Sequence, residues 1–173
     1  LIDHAWGWEP CTMEAIKNYR PQNSSICSGQ VLHCPYTADK ARLVVKEMTD
    51  LMGLELTDRG LVTDQIILTV GYDRQNLTDP DRRNRYRGQI KSDRYGRKVP
   101  VHAHGTANLK QGTASRRLLI RAALDLYDRI IDRDLLVRRI TITAGRLKSE
   151  ADLRLTGVYT QMDLITDWKR GEK

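Results

Sequence analysis

The chain has 173 residues, 40% hydrophobic and 29% charged, with a net charge of +7 and no phenylalanine, so it is long enough for one domain whose core must be aliphatic. No apolar run reaches the ~18 residues of a membrane span, and no signal-peptide pattern is visible. Cys11, Cys27 and Cys34 are an odd set without a disulfide framework, which points to a reducing, cytoplasmic setting.

The chain opens on Leu1 in helix-like sequence, which reads as a piece of something larger. Leu1–Trp8 is short and apolar-rich, Thr12–Tyr19 fits one or two helical turns, and Arg20–Ser25 has the composition of a linker. Ser25–Leu32 reads as a first strand. Thr37 then stands as an N-cap, with Asp39 in the first turn. Ala41, Val44, Val45, Met48, Leu51, Met52 and Leu56 recur at helical spacing up to Gly60, the natural C-cap.

Gln65–Asp73 is the clearest strand: Ile66, Leu68, Val70 and Tyr72 share one face, and Ile67, Thr69 and Gly71 the other. Residues 74–98 hold nine Lys/Arg against three Asp, so most of the net charge sits in one segment. That segment lacks apolar periodicity and is expected to be a mobile loop. Val99–Leu109 alternates again, with Val101, Ala103 and Ala107 on one side and His102, His104, Thr106 and Asn108 on the other. A second amphipathic helix is expected from Ala114 to Asp132.

Leu136–Gly145 follows as a β-branched strand opening on Arg138 and Arg139. Ile140, Ile142 and Ala144 share its apolar face, and Arg139, Thr141 and Thr143 its polar one. Alternation sends Arg138 toward the apolar side, so it must reach an edge or break the pattern. The order β-α-β-β-α-β predicts an α+β fold: a four-stranded, mostly antiparallel sheet with two helices on one face. The open face would carry Arg139, Thr141, Thr143, Thr106 and Asn108. With Arg138, His104 and the loop cations Arg97 and Lys98, this set suits a nucleic-acid backbone; the bland alternative is an ordinary solvated face.

Other chemistry finds little support. His102 and His104, or Cys27, His33 and Cys34, do not have structural-zinc spacing. There is no P-loop, dinucleotide fingerprint or nucleophile elbow, and no catalytic residue is assigned. In the polar tail, Gln161, Met162, Leu164 and Ile165 place a Gln before two spaced apolar anchors, a pattern suited to docking in a partner's pocket.

Several stretches together resemble the C-terminal part of a Y-family, lesion-bypass DNA polymerase of the bacterial UmuC/DinB-like (ImpB/MucB/SamB) branch. They are LIDHAWGWEPCTMEAIKNYRP, NSSICSGQVL, LVTDQIILTVGYD, HGTANL, the Leu135–Gly145 strand and TQMDLITD. The resemblance implies an end of thumb and linker over 1–24, a little finger domain over 25–148 that grips primer–template DNA through phosphates, and a tail over 149–173. Gln161–Ile165 resembles the motif Gln-Leu-(Ser/Asp)-Leu-Phe that binds the bacterial sliding clamp, with Met162 for Leu and a smaller Ile165 for Phe. The catalytic palm and its Mg2+ would lie upstream, so the chain itself is expected to hold no cofactor and to bind DNA without synthesising it. The parent's role would be translesion synthesis in DNA repair, in the nucleoid-associated cytoplasm, with no membrane partner. A stand-alone RNA-binding α+β module is the alternative; the absence of aromatics on the outer face counts against it.

Overall fold

The structure, a computed structural model, describes residues 5–7, 11–19 and 24–155, the last three as backbone only. The tail motif Gln161–Ile165 lies outside the described residues.

Short helix α1 (Met13–Asn18) is capped by the Thr12 hydroxyl, which accepts from Ala15 N–H. The main unit begins with β1 (Ile26–Tyr36), followed by helix α2 (Ala38–Asp58). Thr37 caps α2 as expected, accepting from Lys40 N–H, and Gly60 takes the left-handed φ of 61° that ends it. Next comes β2 (Leu61–Tyr72).

Four short elements occupy the segment expected to be a loop. They are α3 (Gln75–Thr78), α4 (Pro80–Arg85), and the hairpin strands β3 (Ile90–Ser92) and β4 (Lys98–Pro100). The expectation of a structureless loop is therefore corrected. The anchor is Asn76, fully buried. Its amide donates to the carbonyls of Asp73 and Leu136 and accepts from Leu136 N–H at 2.8 Å. One polar side chain, rather than an apolar stripe, fixes this segment, so periodicity carries no sign of it.

After the hairpin come β5 (Ala103–Thr113), helix α5 (Arg116–Ile130), β6 (Val137–Gly145), β7 (Lys148–Ser149) and α6 (Glu150–Leu155). The main sheet runs β1-β6-β2-β5, every pairing antiparallel, and β7 adds to the start of β2. The α+β fold with its β-α-β-β-α-β core is thus as the sequence predicts, with β6 placed centrally between β1 and β2.

The two long helices cover one face. Ile66, Leu68 and Val70 of β2 and Ile140, Ile142 and Ala144 of β6 are fully buried there, against Val45, Leu56, Leu119 and Ala123 of the helices. Gly105 lets α5 come close to β5: a Cβ at that position would meet Leu126 and Ile130 at 2.9 Å. Tyr127 donates to the carbonyl of Ala38 across the helix pair. At the far end Ser24 and Leu147 bond reciprocally, tying the entry of β1 to the exit of β6.

Candidate nucleic-acid interface

The uncovered face is a set of cross-strand rows. One runs Cys27–Thr143–Ile67–Thr106 and the next Gly29–Thr141–Thr69–His104. A third joins Val31, Arg139 and Gly71. At the opposite end Gln65 sits beside Asn108. Arg139, Thr141, Thr143, Thr106, His104 and Asn108 therefore share one surface. Neighbouring strands are about 4.8 Å apart, so the rows form one floor, polar for the most part, with Ile67 and Val31 as apolar members.

Its side chains hold one another. The His104 Nδ1 and Thr69 hydroxyl share a hydrogen bond of 2.9 Å. The Asn108 carbonyl oxygen accepts from Gln65 at 3.1 Å and from Arg146 at 3.2 Å. Arg146 has φ 50°, a left-handed conformation costly for a residue with a Cβ. Its other contact, and that of Lys148, is Asp64 at 3.6 Å.

The arginine pair is resolved by a β-bulge. Arg139 pairs with Gly71, but the next β2 residue, Tyr72, pairs with Val137, leaving Arg138 as the extra residue. Val137 and Ile140 are both buried, so neither arginine has to enter the core. Arg138 is half-exposed and lies 3.7 Å from the Asp73 carboxylate. Arg139 is exposed, and its side chain forms no hydrogen bond or ion pair with another described residue. By contrast Arg42, Arg116 and Arg133 of the helix side are each matched to a carboxylate: Asp128, Asp50, and both Asp39 and Asp128.

Arg97 and Lys98 belong to the hairpin, a separate two-stranded sheet. Arg97 is paired with Asp93 at 2.7 Å, and that bond holds the Asp93 carboxyl below its usual value. His102, beside the floor, accepts from the Lys91 ammonium. Burial lowers its pKa first, then the Lys91 and His104 charges. An ammonium at Nδ1 is a poor companion for a metal ion, so the His102/His104 pair lacks the setting of a metal site.

Sequence reasoning left Gln65, Thr69, Ile67 and Arg146 out of the interface. The outward row of β2 was visible in the alternation, but only the central position of β2, known once strands are ordered, makes it part of the surface.

Residues 23–157 match the family model described as impB/mucB/samB family C-terminal domain. No curated protein matches the chain. Among solved structures, the chain is similar to one titled "Insertion ternary complex of Dbh DNA polymerase", with 17% identity and a TM-score of 0.37. The match covers 75% of this chain and 32% of that one, so the chain spans about a third of that polymerase's length. With most of its residues inside the family model, the chain belongs to the impB/mucB/samB family and contains that family's C-terminal domain.

Proposed function

We propose that this chain is the DNA-gripping portion of a translesion DNA polymerase, with the outward sheet face laid along the backbone of primer–template duplex. The observation that carries the reading is Arg139. It is exposed and without a carboxylate, at the end of rows of hydroxyl and amide groups, on a sheet whose other face is sealed by helices. A cation without an internal partner, set on a hydrogen-bonding sheet face, suits phosphates, which carry no sequence information. A polymerase that moves along any template needs that kind of contact.

In this reading residues 1–24 are the end of the thumb and linker, 25–148 the little finger domain, and 149–173 a tail. Gln161, Met162, Leu164 and Ile165 of the tail dock in the sliding clamp. A catalytic core elsewhere in the parent supplies the Mg2+-dependent chemistry, and the setting is damage tolerance at the nucleoid. Support for a separate domain comes from the reciprocal Ser24–Leu147 bonds, which close the unit close to the proposed boundaries. Among the described residues no helix is long and apolar enough to cross a membrane.

Fluorescence anisotropy with duplexes of unrelated sequence tests the DNA reading. Affinity should be equal across sequences and fall with salt at a log–log slope of about −0.9 per neutralised phosphate. A flat salt dependence, or no binding at low salt, overturns it. For the tail, Gln161→Ala with Leu164→Ala should abolish clamp binding and leave DNA binding intact.

A further inference from the structure

The β3–β4 hairpin and the helices beside it form a second charged surface, distinct from the sheet floor. The cleft between them is lined by Arg74, Arg83, Arg97 and Lys98, with Leu77 and Ile90 as its apolar part. Asp93 answers Arg97; Arg74, Arg83 and Lys98 have no carboxylate partner among the described residues. The groove between α2 and α5 also holds cations, but Asp50 and Asp125 line it too. Of these two, the hairpin cleft has no acid in its lining. Like charges that converge without counter-charge repel one another, and a polyanion relieves that repulsion.

The hairpin tip adds an aromatic. Tyr95 is 78% exposed, and the Arg97 guanidinium stands 4.9 Å from its ring centroid. The turn fixes the Tyr95 backbone. The Asp93 carboxylate accepts from the backbone N–H of Tyr95 and of Arg97, and Gly96 takes the left-handed φ of 73° that closes the loop. The outward rows of the sheet carry no Phe, Tyr or Trp, so this ring is the stacking platform that the floor lacks. Arg97 joins the two features, lining the cleft and contacting the ring.

We propose that the hairpin is a site for unpaired nucleotides: a base stacks on Tyr95 while Arg74, Arg83 and Lys98 take the adjoining phosphates. An aromatic beside a cationic track is how single strands are bound without regard to sequence. The site rests on the duplex-gripping role above and extends it to the strand that leaves the duplex.

The test is binding of the 173-residue chain to three labelled DNA probes at one salt concentration: blunt duplex, the same duplex with a single-stranded extension, and the single strand alone. The extended duplex should bind more tightly than the blunt one. Tyr95→Ala should remove roughly tenfold of affinity for the extended probe and leave the blunt duplex unchanged, with Tyr95→Phe restoring the difference. Arg83→Ala with Lys98→Ala should act in the same direction. Wild-type protein that binds both duplexes equally, or Tyr95→Ala that weakens both by the same factor, overturns the hairpin site while the duplex reading stands. No binding to any of the three probes defeats both.

Discussion

Arg138 and Asp73 lie 3.7 Å apart because β6 carries one residue more than β2 opposite it. Asp73 is largely buried and also accepts from Gln75 N–H at 2.8 Å, opening α3. The bulge thus does two things: it brings Arg138 to a carboxylate at the sheet's edge, and it leaves Arg139 alone on the open face. Adjacent residues with the same side chain have different electrostatic surroundings. Arg139→Ala should reduce the salt slope of DNA binding by about 0.9, one phosphate's worth. Arg138→Ala should reduce it by less, and Asp73→Asn, which retains the acceptor for Gln75, should raise affinity at low salt. Equal losses for the two arginines would contradict the division.

A deletion separates the bulge from the strand. Removing Arg138 leaves Val137 next to Arg139 and restores regular pairing with Tyr72 and Gly71, so every buried side chain keeps its face. Removing Thr141 shifts one end of β6 by a residue and sends apolar groups to solvent. The Arg138 deletion should fold, with a loss of roughly 1–2 kcal/mol in urea unfolding, whereas the Thr141 deletion should not fold.

The strands and long helices were readable in the sequence because their faces are apolar at fixed periods. Ile66, Leu68 and Val70, or Ile140 and Ile142, declare both the element and its buried side. The face of the interface followed from the same alternation, which is why Thr141, Thr143, Thr106 and Asn108 fall together. Two kinds of feature escaped. Strand order depends on pairings distant in sequence, so the contribution of Gln65 and Thr69 was invisible. The basic segment is fixed by Asn76 and by Asp79, whose carboxylate caps α4; such hydrogen-bond anchors have no period to read.

Asn76 therefore offers a sharp test of how that segment is held. Asn76→Ala leaves the Leu136 N–H and the carbonyls of Asp73 and Leu136 without this partner in a buried position. The two carbonyls keep backbone donors, Asn76 N–H and Asp73 N–H, so the unsatisfied group is the Leu136 N–H, and the loss should be about 1–3 kcal/mol in chemical denaturation. Limited proteolysis should then cut within residues 82–98 faster than in the parent protein, with the sheet intact. Resistance equal to the parent's would mean that Tyr86, which donates to the Gln89 carbonyl at 2.7 Å, and the hairpin hold the segment by themselves.

His102 gives the chain a pH dependence whose direction is set by its surroundings. Burial, the Lys91 ammonium and His104 lower its pKa from the ordinary 6.5. The folded state thus binds this proton more weakly than the unfolded chain. The stability it contributes is fully present above pH 6.5 and is lost as pH falls below that value through the lowered folded one. Urea midpoints measured between pH 7.5 and 5 should fall more steeply for the parent protein than for His102→Gln, whose side chain still accepts from Lys91 and does not titrate. If the proposed duplex brings phosphates near His102, they favour the imidazolium, and affinity should rise as pH drops toward about 5.5. Parallel stability curves for the two proteins, together with affinity independent of pH, would place His102 in open solvent, away from both Lys91 and the bound strand.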